Sequence, residues 1–155
     1  PTIMPDMTFE EKLELTNIYS VAGQLGDCGG LMEERPFRAP YHNVTRSAFF
    51  GGGMYPRPGE ITLAGKGVLF LDEMTEFMPD ILEGLRQPLE DRNITIVRTG
   101  RSYKYPADFM LVGAMNVVGQ KVIQPTIRVA SLIGLKGFDN KGNGVFLYNQ
   151  RHKFL

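Results

Sequence analysis

Two adjacent carboxylates, Asp72 and Glu73, are the residues of this sequence best placed to do chemistry. They follow Val68 to Leu71, four apolar residues led by a β-branched valine and preceded by a Gly-Lys-Gly segment. Such a run is typical of a short strand buried on both faces in a parallel sheet. In open α/β sheets, ligands bind in the crevice beyond the carboxyl ends of the strands. The sequence therefore predicts an acidic ligand site at the end of this strand.

An Asp-Glu pair in this position suits nucleotide hydrolysis and has the form of a Walker B motif. Asp72 would help hold Mg²⁺ on nucleotide phosphates, and Glu73 would polarise a water molecule as a general base. A plainer interpretation stays open, because apolar strands often end in solvated turns with acidic residues and a short motif is weak without structural context.

A second apolar run, residues 108–116, ends in the amide of Asn116. A helical pattern and a hairpin pattern separate the two runs, which predicts an α/β fold with a parallel sheet whose polar strand ends share one edge. Asn116 is then expected beside Asp72 and Glu73. The alternative is an amide that caps the following loop.

Two helices are predicted around the sheet. Thr8 and Glu11 have the spacing of a capping box, and the apolar residues that follow at helical spacing are Leu15, Ile18, Tyr19 and Ala22. Pro79 suits the first turn of the second helix. Pro88 is expected to kink or end that helix, whose buried face would hold Ile81, Leu82, Leu85 and Leu89.

Composition limits the classes of function. The chain has 155 residues with 17 Lys or Arg and 17 Asp or Glu, so its global charge favours neither nucleic acid nor membrane. Cys28 is the single cysteine, which excludes an internal disulfide, and with only His42 and His152 beside it no zinc site is expected. No apolar run has the length of a membrane span, so a cytoplasmic protein without membrane contact is the expectation.

Two segments concentrate cations: residues 33–46, where arginines interleave with aromatic side chains, and the hairpin pattern at residues 94–105. Cations mixed with flat aromatic rings bind phosphates and stack on bases. Candidate DNA contacts are therefore Arg35, Arg38, Arg46, Arg98, Arg101 and Lys104. The alternative is that these cations pair with acidic side chains or face solvent.

Several longer motifs occur in order along the chain, at residues 34–40, 51–53, 56–61, 67–73, 85–91 and 114–116. Together they closely resemble the magnesium-chelatase-like AAA+ ATPases, in particular the bacterial competence-associated branch that acts on DNA. The resemblance extends from Pro1 to Asn116.

The resemblance implies a P-loop NTPase core with β-hairpin insertions, and ATP and Mg²⁺ as cofactors. It assigns Asp72 to the metal and its nucleotide, Glu73 to water activation and Asn116 to the sensor-1 amide. Residues 58–63 and 95–105 would form hairpins, which in related ring ATPases face the central pore and touch the polymer being moved. Self-association into a ring and action on DNA are implied in the same way.

Two departures from the family are visible. The phosphate-binding loop Gly-x-x-x-x-Gly-Lys-Ser/Thr does not occur in these residues, so weak or absent ATP binding is expected. After Asn116 the resemblance ends. We therefore predict a partial ATPase core at residues 1–118 and an unassigned tail at 119–155, as a fragment that is inactive in isolation.

The predicted function is thus part of an ATP-hydrolysing module of a ring helicase or translocase on DNA. Two alternatives stay open: a non-enzymatic module that binds nucleic acid or protein, and an ATPase subunit that helps insert Mg²⁺ into a porphyrin.

Overall fold

The computed structural model describes residues 4–26, 30–54, 56–98, 100–115 and 144–149, and at residues 98, 115 and 144–149 only the backbone is described. Its helices are α1 (Phe9–Ala22), α2 (Arg46–Phe50), α3 (Glu60–Leu63), α4 (Pro79–Gly84) and α5 (Arg86–Asp91), with a 3₁₀ turn at Met74–Glu76. Its strands are β1 (Phe37–Arg38), β2 (Gly51–Gly52), β3 (Arg57–Pro58), β4 (Val68–Leu71), β5 (Asn93–Arg98), β6 (Arg101–Pro106), β7 (Met110–Met115) and β8 (Gly144–Asn149).

The main sheet has the strand order β1-β4-β7-β8. Strand β4 pairs in parallel with β1 on one side and with β7 on the other, and Leu71 lies opposite Gly113. Parallel neighbours end at the same edge of a sheet, so the carboxyl ends of β4 and β7 lie side by side. The predicted parallel α/β sheet is confirmed, and β8 joins it antiparallel to β7.

One face of this sheet lies in the main core. Leu69, Leu71 and Leu111 are completely buried there, together with apolar residues of α4 and α5. The other face of β4 is less well covered, because Phe70 is partly exposed where its ring stacks on Phe37, with the ring centroids 6.0 Å apart. The strand that leads to the acidic pair is therefore fixed mainly by one buried face.

Helix α1 begins as the sequence predicts. The Thr8 hydroxyl accepts the Glu11 N–H at 3.2 Å, and the Glu11 carboxylate accepts the Thr8 N–H at 3.2 Å, which completes the capping box. The helix ends at Gly23, whose φ of 70° lies in the left-handed region that glycine adopts easily. Its predicted apolar stripe is buried, and the Tyr19 hydroxyl donates to the Leu63 carbonyl at 2.9 Å.

The second predicted helix is divided into α4 and α5 at Leu85. Pro88 has no N–H, and its ring crowds the carbonyl four residues earlier, at Gly84. The break therefore falls ahead of the proline, in the turn where the missing hydrogen bond would have been. The predicted apolar face of both helices is buried.

Two small hairpins flank the sheet. The predicted hairpin at residues 58–63 is wrong in position, because Glu60–Leu63 is helix α3 and the strands that pair are β2 and β3 at residues 51–58. Three consecutive glycines with φ of 97°, 139° and 96° make the earlier reversal feasible. The second hairpin, β5 with β6, is confirmed, and its register sets Arg98 opposite Arg101.

Some predictions fall outside the described residues. These predictions concern Asn116, Cys28, His152 and most of the tail. Strand β8 belongs to the same sheet as β4 and β7, whereas the domain boundary at residue 118 stays a prediction. Among the described residues, no helix combines the length and the apolar character needed to cross a bilayer.

Candidate functional site

The acidic pair lies at the carboxyl edge of the main sheet. Asp72 follows Leu71, the last residue of β4, and both carboxylate residues are exposed. Glu73 has φ 48° and ψ 47°, the left-handed conformation, and its backbone N–H donates to Asp72 Oδ1 at 2.9 Å. The chain therefore turns sharply at the pair, and one oxygen of Asp72 is fixed by its neighbour.

Buried anchors hold the pair on both sides along the chain. Leu71 before it and Met74 after it are both 0 % exposed. The 3₁₀ turn Met74–Glu76 follows at once, and Phe77 at its end is also buried. The exposed pair therefore lies between two buried side chains, which restrict the movement of its backbone.

The third predicted member, Asn116, comes one residue after the end of β7 in the sequence and lies outside the described residues. The described backbone of β7 runs two residues beyond Gly113, the partner of Leu71, and so reaches the level of the acidic pair. Its convergence with Asp72 and Glu73 stays a prediction.

The acidic pair offers exposed carboxylate oxygens, the kind of ligand that Mg²⁺ prefers. Within the described ranges, no three His, Cys, Asp or Glu side chains cluster as ligands for a metal ion. Mg²⁺ prefers oxygen ligands and is usually held by one or two carboxylates together with substrate phosphates and water. Asp72 is an exposed carboxylate of this kind, directly after the last residue of β4.

Two of the candidate DNA-binding arginines are engaged inside the protein. Arg35 has a side chain that is 7 % exposed. It donates to Glu11 Oε2 at 3.0 Å and to the carbonyls of Pro5, Asp6 and Lys66. These contacts favour the alternative of internal pairing, since few donors are left for a phosphate.

Arg38 is held in a similar way. It donates from Nε and from a terminal nitrogen to the two oxygens of Glu60, each at 2.7 Å. The hydrogen bond to Glu60 raises the pKa of Arg38, with burial acting in the opposite direction. This bidentate pair joins β1 to α3 and so favours a structural role.

The other candidate DNA-binding cations whose side chains are described are exposed. Arg46 is exposed, lies 4.8 Å from the Phe50 ring centroid and donates to the Asp80 carbonyl at 3.0 Å. Arg101 and Lys104 are exposed on β6. Only the backbone of Arg98 is described.

Strand alternation separates the hairpin cations into two faces. Arg101 lies on the face of β6 that also carries Tyr103 and Tyr105, whereas Lys104 lies on the opposite face, across from Thr95. Sequence reasoning missed a further exposed cation, Arg57, on the first hairpin. The acid-free composition of residues 51–58 was the signal that would have identified it.

The fold has a counterpart among solved structures. A structure of the complex between subunits BchI and BchD of magnesium chelatase matches with a TM-score of 0.50 and 19% identity, over 66% of this chain and 41% of that chain. At that identity the match shows the fold alone. The chain thus shares the α/β fold of that magnesium chelatase structure.

Sequence comparison identifies the family. The family model described as magnesium chelatase, subunit ChlI, matches residues 1–128. Competence protein ComM of Haemophilus influenzae is 46% identical over 115 residues, and YifB of Escherichia coli is 45% identical over 120 residues. This chain belongs to the magnesium chelatase ChlI family.

The matches also define how much of a relative this chain represents. Each of these two alignments covers 74% of this chain and 22% of the relative. Protein Mb2921c of Mycobacterium bovis is 44% identical over 75% of this chain and 23% of its own length. The chain thus spans about a fifth of the curated relatives that it matches.

Proposed function

We propose that this chain is the part of an ATP-hydrolysing module that carries the metal carboxylate and the catalytic base. The observation that carries the proposal is the acidic pair Asp72-Glu73, exposed at the carboxyl edge of a parallel sheet and anchored by buried residues on either side. Membership of the magnesium chelatase ChlI family supports it.

Each residue has a separate role in this proposal. Asp72 holds Mg²⁺ through its carboxylate, and the metal ion supplies neutralisation of charge on the phosphate oxygens. Glu73 accepts a proton from the attacking water as a general base. Asn116 orients that water through its amide. The hydrogen bond from the Glu73 N–H to Asp72 Oδ1 fixes the orientation of the Asp72 carboxylate and leaves the Glu73 carboxylate available as the base.

The chain does not itself supply every group that hydrolysis needs. The sequence has no Gly-x-x-x-x-Gly-Lys-Ser/Thr loop to cradle the β- and γ-phosphates. We therefore expect the isolated chain to bind ATP weakly and to release little phosphate. A ring of several copies of the whole protein would complete the site, and the occurrence of BchI within a subunit complex supports such assembly.

The polymer on which the whole protein acts is proposed to be DNA. Residues 93–106 carry Arg98, Arg101 and Lys104 and no acidic residue, in a chain whose cations and acids are equal in number. A cationic hairpin without acids suits a phosphate backbone. The similarity to a protein named for competence agrees with this choice.

A graft tests the ATPase proposal. In it, this chain replaces the segment of the Haemophilus influenzae competence protein that it matches, so that the rest of that protein supplies the missing parts. We expect the graft to release phosphate from ATP in the presence of Mg²⁺ at a rate within about tenfold of the parent. A folded graft without turnover, beside an active parent, would contradict the proposal.

The alternative of a non-enzymatic binding module is favoured by one observation, the absence of the phosphate loop from these residues. It predicts salt-sensitive retention of the 155-residue chain on single-stranded DNA, lost when Arg101 and Lys104 become alanine. Retention together with an inactive graft would select this alternative, and an active graft would reject it.

A further inference from the structure

The two hairpins of this protein touch each other. The Tyr105 hydroxyl on β6 donates to the Pro56 carbonyl of the first hairpin at 3.0 Å, across 49 positions in the sequence. This hydrogen bond joins the second hairpin to the first. Burial raises the pKa of Tyr105, with Tyr103 adding to the effect, so the hydroxyl keeps its proton at neutral pH.

A second contact joins the same hairpins. A Cβ atom placed on Gly51 would lie 2.7 Å from Ile96 Cδ1 and 2.6 Å from the Arg57 carbonyl. Gly51 therefore has to be a glycine, since any side chain there would collide with the Ile96 methyl and with the backbone of β3. Gly51 on β2 therefore packs closely against Ile96 on β5, and Arg57 lies on β3, the strand that pairs with β2.

Both contacts use the same face of the second hairpin. Ile96 pairs with Tyr103 and Ile94 pairs with Tyr105 in the β5-β6 register, so these four side chains share one face. Arg101, two residues before Tyr103, lies on that face as well. Lys104 lies on the opposite face, with exposed Thr95 and Val97.

Positive charge predominates in the two joined hairpins. Residues 51–58 and 93–106 contain four cations and no acid, whereas the whole chain has 17 of each sign. The other residues of the chain hold 13 cations and 17 acids. A surface of this kind suits a ligand that presents several negative charges in a row.

We propose that the two hairpins form one coupled unit, in which Tyr105 and Ile96 hold Arg57 in a fixed position relative to Arg101, and that these two arginines bind one nucleic-acid strand together. Tyr105 is a positioning residue, because it acts through Pro56 and touches no ligand. This inference extends the proposed function, because the choice of nucleic acid as the ligand rests on the proposal that the whole protein acts on DNA. The coupling itself rests only on the contacts between the hairpins.

The coupling is tested without any nucleic acid. Tyr105→Phe in the 155-residue chain removes the hydroxyl and keeps the ring. We expect amide hydrogen exchange at residues 51–58 to become about fivefold faster. Tyr103→Phe is the matched control, because Tyr103 lies on the same strand and face and no hydrogen bond of its hydroxyl is recorded in the described part of the chain. Equal exchange in the two variants would overturn the coupling.

Ile96→Val gives a second, independent test. It deletes the Cδ1 atom that lies against Gly51, and Ile94→Val is the control of equal volume on the same strand. Faster exchange at residues 51–58 in Ile96→Val alone supports the unit. A similar change in both variants contradicts it, because the effect would then come from general loosening of the core.

The shared ligand is tested with a fluorescein-labelled oligothymidylate at low salt. We expect Arg57→Ala to weaken binding about tenfold in the parent background and less than about twofold in the Tyr105→Phe background. Lys104→Ala, on the opposite face, should cost the same in both backgrounds. An equal loss for Arg57→Ala in the two backgrounds would overturn the shared site.

The two proposals fail in different ways. If hydrogen exchange responds to Tyr105→Phe and no oligonucleotide binds, the coupling stands and the DNA part of the proposed function falls. If the oligonucleotide binds and exchange does not respond, DNA binding stands and the coupling falls.

Discussion

Glu73 donates its backbone N–H to Asp72 Oδ1 at 2.9 Å while its own backbone is held at φ 48° and ψ 47°. A non-glycine residue in this left-handed region costs on the order of 1 kcal/mol. The bond therefore forms at a strained position, and the strain is located in the residue to which we assign the catalytic base. Such strain is common at functional sites, where it fixes the direction of a side chain.

Relief of this strain should stabilise the chain. Glu73→Gly is expected to raise the free energy of unfolding by about 1 kcal/mol, because glycine adopts φ near 50° without a Cβ clash. Urea denaturation of the 155-residue chain measures the change. Glu76→Gly, in the following 3₁₀ turn, is the control and is expected to destabilise by about 0.5 to 1 kcal/mol. A Glu73→Gly variant less stable than the parent would contradict the strain.

The buried arginine of the candidate DNA segment should contribute chiefly to stability. Arg35→Ala removes the cation that is paired with the buried Glu11 carboxylate, which keeps its hydrogen bond from the Thr8 N–H, and it removes a donor from three carbonyls. We expect a loss of about 3 to 5 kcal/mol in the free energy of unfolding. Arg46→Ala, at an exposed pair with Asp80, should cost less than about 1 kcal/mol. Comparable losses in the two variants would show that Arg35 is not an internal anchor.

A buried hydroxyl in α3 gives a prediction in the opposite direction. Thr62 is 0 % exposed, and its Oγ1 atom is the one buried side-chain polar atom without a hydrogen bond among the described residues. Thr62→Val keeps the shape and removes the unsatisfied group, so the free energy of unfolding should rise by about 1 kcal/mol. Thr95→Val, at an exposed position, should change it by less than about 0.5 kcal/mol. A thermal denaturation midpoint that is lower for Thr62→Val than for the parent would contradict the assignment of Thr62 Oγ1 as an unsatisfied buried atom.

Alkaline pH should destabilise the chain through the buried tyrosine Tyr19. Burial raises the pKa of Tyr19 above its ordinary value of 10.0, and Arg38 opposes that shift. Since the folded state holds this proton more tightly than the unfolded state, the contribution is fully present below pH 10 and is lost as the pH rises through the folded pKa. The free energy of unfolding, measured from pH 8 to pH 11, should fall more steeply above pH 10 for the parent than for Tyr19→Phe. Parallel curves would contradict this origin.

Short sequence patterns predicted those elements that depend on residues close together in the sequence. Four apolar residues before Asp72 were enough for β4, and the Thr8 and Glu11 spacing was enough for the start of α1. The contacts that decide the other assignments are distant in sequence. Arg35 meets Glu11 across 24 positions, and Tyr105 meets Pro56 across 49. No periodic pattern in the sequence indicates such distant pairs. A buried arginine and a solvent-exposed one therefore cannot be distinguished from the sequence.

The misplaced hairpin has a similar explanation. Pro58-Gly59 signals a turn, but Gly59 becomes the N-cap of α3 instead of the tip of a hairpin. A Cβ on Gly59 would lie 2.2 Å from the Gly51 nitrogen, so this glycine is required by the close approach of β2. The same residue type serves turns and close contacts, and only the fold distinguishes them.

The central claim is that Glu73 is the base of a nucleotide-hydrolysing site. The direct test is steady phosphate release from ATP by the graft into the Haemophilus influenzae competence protein, carrying either Glu73→Gln or the control Glu76→Gln. The account predicts that Glu73→Gln lowers turnover by about 100-fold or more with ATP binding retained, and that Glu76→Gln stays within about twofold of the unaltered graft. Equal turnover in the two variants would contradict it.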